Sequence, residues 1–175
     1  MQTGRYVWLM VFLIVCKANG LFAQASEYTP ETNILYHFTK YVDWPEQEGT
    51  SGGFIIGIYG NDKVFSELKS GITGRRVGTK KIEVIKIDTL DRRLLKCSLL
   101  FISAERSKNI KRINSITQNK PVLIVTEKEG MMTQGSCMNL VIVNEKVRLE
   151  INSANIEGRG LKVANELIGM AQNKN

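Results

Sequence analysis

The 175-residue chain contains few of the side chains from which metal sites are usually built. Histidine occurs once, at His37, and cysteine three times, at Cys16, Cys97 and Cys137. A tetrahedral zinc site needs several closely spaced His or Cys ligands, so we expect no metal. His37 lies off the apolar stripe of a predicted helix, where an exposed histidine commonly has no special role.

The motifs of common hydrolases and nucleotide-binding enzymes are also absent. No serine occupies a Gly-x-Ser-x-Gly turn. The glycines of residues 71–80 do not lead into the Gly-Lys-Ser/Thr ending of a P-loop, and Gly57 and Gly60 lack the rest of a Gly-x-Gly-x-x-Gly pattern. Tight turns are therefore expected at these glycines. The sequence predicts no catalytic residues, no cofactor and no enzymatic activity.

Long apolar runs are missing, apart from a short one near the N-terminus. Residues 7–15 are too few to span a bilayer, follow Arg5 and precede the small-residue pattern Ala23-Gln24-Ala25. These features predict a secretory signal peptide over residues 1–25, cleaved near Ala25, and hence an exported chain. Cys16 leaves a lipoprotein signal open as an alternative, although the valine before it is larger than such signals prefer.

Charge of one sign is in modest excess. The net charge is +7, and the basic residues form small scattered clusters instead of one stripe. An exported chain has no routine access to nucleic acid, so we expect a solvated basic surface and no nucleic acid binding. Anionic lipid or an acidic surface on a protein partner is the alternative.

Cys97 and Cys137 remain once the predicted leader is removed, and export permits a disulfide between them. Cys97 begins one predicted core strand, whereas Cys137 follows the loop after another, so we expect them near opposite ends of the sheet. A strand of five or six residues is about 17–20 Å long, but bridged Cα atoms lie within roughly 7 Å. The layout argues against a bond and leaves a redox role open.

Three short apolar runs form the predicted core: Phe54–Gly60, Ser98–Ser103 and Pro121–Thr126. Such runs are typical of strands buried on both faces, and helical segments separate them. The alternation predicts a three-layer α/β fold, in which helices flank a mixed, mostly parallel sheet. We take residues 26–175 as a single domain.

The remaining elements are predicted around this core. Residues 27–43 form an amphipathic helix that Thr29 can cap, and residues 80–87 form an edge strand rich in lysine. Residues 137–143 and 146–152 read as an antiparallel hairpin at one edge of the sheet, with one face of the second arm buried. A last helix is expected over residues 154–171.

Several side chains are candidate contacts for a partner or ligand. Arg148 and Asn152 share one face of the second hairpin arm with Glu150, and Arg159 follows closely. They form either a surface ion-pair lattice or a recognition face. Tyr36, Tyr41 and Trp44 could anchor a partner, although packing in the core or at its rim is favoured for Tyr41 and Trp44. Gly60 and Asn61 precede a helix at a carboxyl edge of the sheet, where a small anion could bind.

Five segments together resemble the YfiR-like family of exported bacterial proteins. They are Ile34-Leu-Tyr-His-Phe-Thr-Lys-Tyr-Val-Asp-Trp-Pro45, Phe54-Ile-Ile-Gly-Ile-Tyr-Gly60, Cys97-Ser-Leu-Leu-Phe-Ile102, Val147-Arg-Leu-Glu-Ile-Asn152, and Gly160-Leu-Lys-Val163 running on to Glu166-Leu-Ile168. The resemblance implies a periplasmic α/β domain that is not an enzyme. Characterised relatives bind the periplasmic part of a membrane-bound diguanylate cyclase, restrain it, and so lower cyclic di-GMP and biofilm formation.

The resemblance also implies features that this sequence meets only in part. Some relatives act as homodimers and respond to redox state through disulfides. Cys97 matches a cysteine of the family, but no partner for it is evident upstream. Because the family also occurs beside histidine kinases, the expected partner is a membrane-bound signalling receptor of either kind, through which the protein would associate with the membrane. A periplasmic sensor that binds an anionic small molecule is the alternative function.

Overall fold

A computed structural model describes residues 29–45, 52–144 and 146–172, so the predicted signal peptide and Cys16 lie outside the described residues. The strands, in chain order, are β1 (Val42–Asp43), β2 (Phe54–Tyr59), β3 (Arg76–Val77), β4 (Lys80–Lys86), β5 (Leu99–Ile102), β6 (Leu123–Thr126), β7 (Met138–Val143), β8 (Lys146–Ile151) and β9 (Lys162–Val163). The α-helices are α1 (Pro30–Tyr41), α2 (Asp62–Ile72), α3 (Ile110–Thr117), α4 (Ser153–Glu157) and α5 (Asn165–Gln172). Short 3-10 helices cover Arg92–Lys96, Ala104–Asn109 and Met131–Gln134.

Seven of these strands form one mixed sheet in the order β3-β4-β2-β5-β6-β7-β8. Strands β4, β2, β5, β6 and β7 are parallel, whereas β3 and β8 pair antiparallel at the two edges. Every residue of β5 and β6 is buried, as expected for apolar strands covered on both faces. The α/β fold and the edge hairpin predicted from the sequence are confirmed.

The chain changes direction across the sheet between β2 and β5. From β2 it passes through α2 to β4 on one side, and from β5 it passes through α3 to β6 on the other. Because such crossovers are right-handed, the two helices belong on opposite faces. Helix α1 packs against α2, and α3 packs against the 3-10 helix Arg92–Lys96, which gives the two outer layers.

The start of α1 forms as its sequence predicts and is tied to α2. The Thr29 hydroxyl accepts a hydrogen bond from the Thr32 backbone N–H, and Pro30 occupies the first turn. Glu67 of α2 accepts three hydrogen bonds at one carboxylate oxygen, from the Thr29 N–H and from the hydroxyls of Thr29 and Thr32. Burial alone would raise the pKa of Glu67, but these bonds outweigh burial and hold its pKa below the ordinary value.

The predicted last helix is wrong, because the segment contains two helices and a strand. Helix α4 ends at Glu157, and Gly160 adopts a left-handed φ of 71° that turns the chain away from the helical path. Strand β9 then pairs antiparallel with β1, with Val163 opposite Val42, in a small second sheet. The apolar spacing that suggested one helix is shared between these elements.

One expectation about the sheet edges needs correction. Residues 80–87 were predicted to be an edge strand, but β3 pairs outside β4 and is joined to it by a turn in which Gly78 has a φ of 57°. The expectation for β8 holds, since Val147, Leu149 and Ile151 pack against the core, while Arg148 and Glu150 on the other face are half-buried. The polar face of β8 continues into the interior through hydrogen bonds and is therefore not fully solvated.

A chain of hydrogen bonds runs from the interior of the sheet to this edge. The hydroxyls of Thr126 and Ser136, both buried, lie 2.8 Å apart, and Thr126 donates to Asn139 Oδ1 at 2.8 Å. Asn139, also buried, donates to the Glu150 carboxylate at 3.0 Å. Glu150 in turn accepts a hydrogen bond from the Arg148 guanidinium at 2.8 Å and forms an ion pair with it. This buried polar chain thus joins β6, β7 and β8.

The buried polar chain should contribute measurably to stability. Thr126→Val removes the central hydroxyl at nearly constant volume and leaves Asn139 Oδ1 without that donor. We expect the free energy of unfolding in urea to fall by about 1–3 kcal/mol, because a buried polar atom loses its partner. Thr133→Val, at an exposed turn hydroxyl that donates to Gly130 O, should change it by less than about 0.5 kcal/mol. Equal losses in both variants would contradict this role.

Candidate functional site

The predicted contacts Arg148 and Asn152 belong to different parts of the surface. Asn152 caps α4 by accepting from the Asn155 N–H at 3.0 Å, and its own N–H donates to Cys137 O just before β7. Arg148 lies opposite Val141 and is ion-paired with Glu150. Four strand residues correspond to about 13 Å, so Arg148 and Asn152 do not form one compact patch.

Arg159 is held against the end of α3. Its Nη1 donates to the Thr117 carbonyl at 3.3 Å and to the Thr117 hydroxyl at 3.2 Å, and its Nη2 donates to Asn114 Oδ1 at 2.6 Å. A cation at a helix C-terminus satisfies the last carbonyls and interacts favourably with the helix dipole. The side chain is half-buried, and burial lowers the pKa of its guanidinium.

A polar crevice of about 350 Å³ opens beside this arginine. The crevice, named here the Arg159 crevice, lies between the C-terminal end of α3, the turn at Gly135, and α4. Its polar lining includes Asn114, Gln118, Asn119, Asn155 and Arg159. Asn155 is fixed in place, since its Nδ2 donates to the carbonyls of Met132 and Ser136. Amide groups and a guanidinium therefore face one small space.

Trp44 is bound to the fold at the amino-terminal end of the parallel strands. Its indole Nε1 donates to Ser98 O at 2.9 Å, and its ring meets Phe54 edge to face at 4.7 Å between centroids. An indole N–H and an aromatic pair of this kind stabilise a partly buried tryptophan. Trp44 thus anchors the chain after α1 to the beginnings of β2 and β5.

Tyr36 is less constrained and is surrounded by cations. Lys40 Nζ lies 4.8 Å and Arg75 Cζ 5.1 Å from the centre of its ring, within the range of cation–π attraction. The adjacent Arg75 guanidinium also lowers the pKa of the Tyr36 phenol. Tyr36 and Trp44 line a cavity of about 1110 Å³, named here the aromatic–basic cavity. Its charged lining residues are Lys40, Arg76, Lys80 and Lys96, with Asp43 and Glu83.

Gly60 and Asn61 lie at the carboxyl end of β2, where the chain changes direction across the sheet. Asn61 caps α2, since its Oδ1 accepts from the Val64 N–H at 3.0 Å. Gly60 has a φ of 95°, and the Ser103 hydroxyl and the Arg106 side chain approach it so closely that a Cβ would collide with both. The Ser103 hydroxyl is buried and has no hydrogen-bond partner in the described part of the chain.

Sequence reasoning did not single out Ser103 or Arg106. Ser103 directly follows β5, the parallel neighbour of β2, and its N–H donates to Tyr59 O. The guanidinium of Arg106 lies over the Tyr59 ring, 5.3 Å from its centre. The carboxyl ends of adjacent parallel strands meet at one sheet edge, so the position of Ser103 after the second core run was the available signal.

The structure places His37 on the exposed side of α1, beside the rings of Tyr36 and Tyr41. Within residues 29–45, 52–144 and 146–172, no three His, Cys, Asp or Glu side chains are grouped to hold a metal ion. In the same ranges no helix has the length and apolarity needed to cross a bilayer.

Cys97 and Cys137 are both buried and unbonded to one another. The expectation that they lie near opposite ends of the sheet is wrong. The chain crosses back between β6 and β7, so Cys137, whose backbone N–H donates to Ile124 O, also precedes a parallel strand. Two strand spacings of about 4.8 Å separate the strands that follow the two cysteines, which exceeds the Cα separation of roughly 7 Å that a disulfide allows.

Both thiols are shielded from reaction. Burial raises the pKa of Cys97 to about 12. Burial also raises the pKa of Cys137, although the nearby Arg159 opposes the rise. Both groups are therefore neutral thiols at pH 7, the form that does not act as a nucleophile.

Taken together, the mixed sheet, the two surface cavities and the cation-flanked aromatic residue define an α/β domain with accessible polar and aromatic surfaces. A family model described as YfiR/HmsC-like matches residues 28–172, and the chain belongs to this family. The resemblance inferred from the five sequence segments is thereby confirmed. The family consists of periplasmic regulators and is not known for an enzymatic activity. No curated protein matches the chain.

The two buried thiols should resist alkylation in the folded protein. At pH 8 a thiol with a pKa near 9 is about one-tenth thiolate, whereas a pKa of about 12 leaves about one part in ten thousand. We expect iodoacetamide to modify Cys97 about a thousand-fold more slowly in the folded protein than in the protein unfolded in guanidinium. Mass spectrometry follows the extent of modification with time. The folded rate should rise about tenfold per pH unit. A native rate within tenfold of the unfolded rate would count against this protection.

Proposed function

We propose that the protein is an exported, non-enzymatic regulator that binds the periplasmic part of a membrane signalling protein and restrains it. The partner is a diguanylate cyclase or a histidine kinase. Membership of a family of periplasmic regulators supports this class of function. The observation that carries the proposal for this chain is the accessible Tyr36 ring between two cations.

Tyr36 has the properties of an interface anchor. Its ring is half-buried and packs partly against the core, and the flexible ends of Lys40 and Arg75 lie over it. Aromatic and arginine side chains dominate the binding energy of protein interfaces. Trp44, which donates to Ser98 O, contributes by fixing the wall of the same cavity. Basic groups outnumber acidic groups around this cavity, which favours an acidic surface on the partner.

The Arg159 crevice extends this surface along the amino-terminal ends of the strands. Gln118 and Asn119 line the crevice, and Pro121 and Val122, a few residues further along the chain, line the aromatic–basic cavity. Asn152 caps the helix that forms the far wall of the crevice. We therefore propose Tyr36, Trp44, Asn152 and Arg159 as the docking surface. Arg148 lies toward the beginning of β8, away from Asn152, and is a peripheral contact.

The docking role of Tyr36 can be tested by affinity capture from detergent-solubilised membranes of the bacterium that encodes the protein. We expect the immobilised protein to retain a membrane-bound cyclase or kinase, identified by mass spectrometry. Tyr36→Ala should weaken binding to that receptor about tenfold or more, as loss of an interface anchor does. His37→Ala, which removes an exposed ring from the same helix, should change it less than about twofold.

Two results would argue against this function. One is the absence of any signalling receptor among the retained proteins. The other is receptor binding that Tyr36→Ala and His37→Ala weaken to the same extent.

A second function, as a sensor of a small anionic ligand, is favoured by one observation. The unpartnered Ser103 hydroxyl lies beside Gly60 at the point where the chain changes direction across the sheet, which is where open α/β sheets bind ligands. The amino-terminal end of α2 would supply N–H groups to an anion, and the exposed Arg106 side chain, moved away from Gly60, would supply positive charge.

Anion binding at this edge can be tested by thermal unfolding with inorganic phosphate. Phosphate at constant ionic strength should raise the Tm of the unaltered protein, and Ser103→Ala should abolish at least half of the increase. Ser70→Ala, at an exposed serine on α2, should preserve it. An increase that is equal in both variants, or no increase at all, would exclude a phosphate-type site here.

A further inference from the structure

Arg159 carries a half-buried positive charge, and its hydrogen-bond partners among the described residues are all neutral. Its three hydrogen-bond contacts go to a carbonyl, a hydroxyl and an amide oxygen, on Thr117 and Asn114. None of the four ion pairs found among the described residues includes it. Charged side chains that leave water are normally paired with an opposite charge, since desolvation of an isolated charge costs several kcal/mol.

The surroundings supply only part of the missing negative charge. The C-terminal end of α3 contributes about half an elementary charge through the Thr117 carbonyl. The Cys137 thiol lies close by, but burial raises its pKa and keeps it neutral. The helix end therefore explains the orientation of Arg159 and leaves part of its charge uncompensated.

The crevice beside Arg159 provides further hydrogen-bonding groups in the same place. Gln118 and Asn119 line its mouth and are exposed, and they come from the turn that follows α3. A guanidinium presents five N–H donors in a planar fork, and the contacts above engage only its two Nη atoms. A guanidinium with adjacent amide donors is the combination that binds carboxylate groups most specifically.

We propose that the Arg159 crevice binds a carboxylate group, with the Arg159 guanidinium as its counter-charge and the amides of Gln118 and Asn119 as additional donors. The carboxylate belongs to a free small molecule or to an acidic side chain of a protein partner. Arg159 is part of the docking surface proposed above, so binding of a partner's acidic side chain rests on that proposed function. Binding of a free small molecule does not rest on it.

The binding of carboxylates can be measured without any membrane protein. The side-chain Nε–H signal of Arg159 is followed by nitrogen-15 NMR while sodium succinate replaces sodium chloride at constant ionic strength. We expect a saturable shift of this signal with succinate and none with chloride. Arg159→Lys keeps the charge and loses the planar fork, so it should weaken succinate binding, read from backbone amides of the crevice, about tenfold or more. Arg112→Lys, at an exposed arginine of α3, should change it less than about twofold.

A second variant keeps Arg159 and tests the same site. Gln118→Glu places a carboxylate at the mouth of the crevice, where it should compete with succinate and weaken its binding about tenfold. This result does not depend on Arg159→Lys folding normally. If succinate binds the unaltered protein, an unchanged succinate affinity in Gln118→Glu would overturn the proposal.

The source of the carboxylate is distinguished by a parallel titration with a capped peptide, acetyl-Gly-Asp-Gly-amide. A peptide shift with no succinate shift assigns the crevice to an acidic side chain of a partner, and the reverse assigns it to a free ligand. A shift with either compound supports a carboxylate site, and the absence of a shift with both compounds excludes such a site. Capture of a receptor that is unaffected by Arg159→Lys would leave the docking function intact while removing Arg159 from it.

Discussion

A line of hydrogen bonds from Ser136 to Arg148 holds the parallel part of the sheet to its antiparallel edge. Without it, the position of β7 against β6 would rest on two residue pairs, which match Val125 and Thr126 with Met138 and Asn139, and on the backbone bond from Cys137 N–H to Ile124 O. The buried Thr126 and Asn139 side chains specify that register, because a shift by one residue would leave their polar atoms unpaired. The hairpin, α4 and the crevice beside it all follow from this placement of β7.

The two ends of the parallel strands differ in character. At the carboxyl ends, Gly60 allows close packing of Ser103 and Arg106, and the buried Ser103 hydroxyl has no hydrogen-bond partner among the described residues. At the amino-terminal ends, the two cavities lie open among aromatic, amide and basic groups. Open α/β sheets usually bind ligands at their carboxyl ends. This chain therefore has a second accessible surface besides that conventional location, and the second surface is where we propose that a protein partner docks.

The sequence predicted most of the fold because its central strands are short, wholly apolar runs with clear helix caps between them. Thr29 and Asn61 cap the helices that follow them, as expected. The segment after Ser153 was mispredicted because its apolar spacing resembles a helix, whereas Gly160 and the pairing of β9 with β1 depend on tertiary contacts. The candidate site was predicted only in part. The anchoring of Trp44 on Ser98 and of Arg159 on Thr117 depends on contacts with residues 54 and 42 positions away, which local patterns do not encode.

The pairing of β1 with β9 has a consequence for when the domain can form. The end of α1 is secured by backbone bonds to the segment around Val163, so the first helix of the fold depends on almost the last strand. Closing a contact over so long a stretch of chain is slow, because the intervening loop must first be ordered. A polypeptide that is synthesised from its N-terminus cannot pair β1 with β9 until nearly all of the chain has been made.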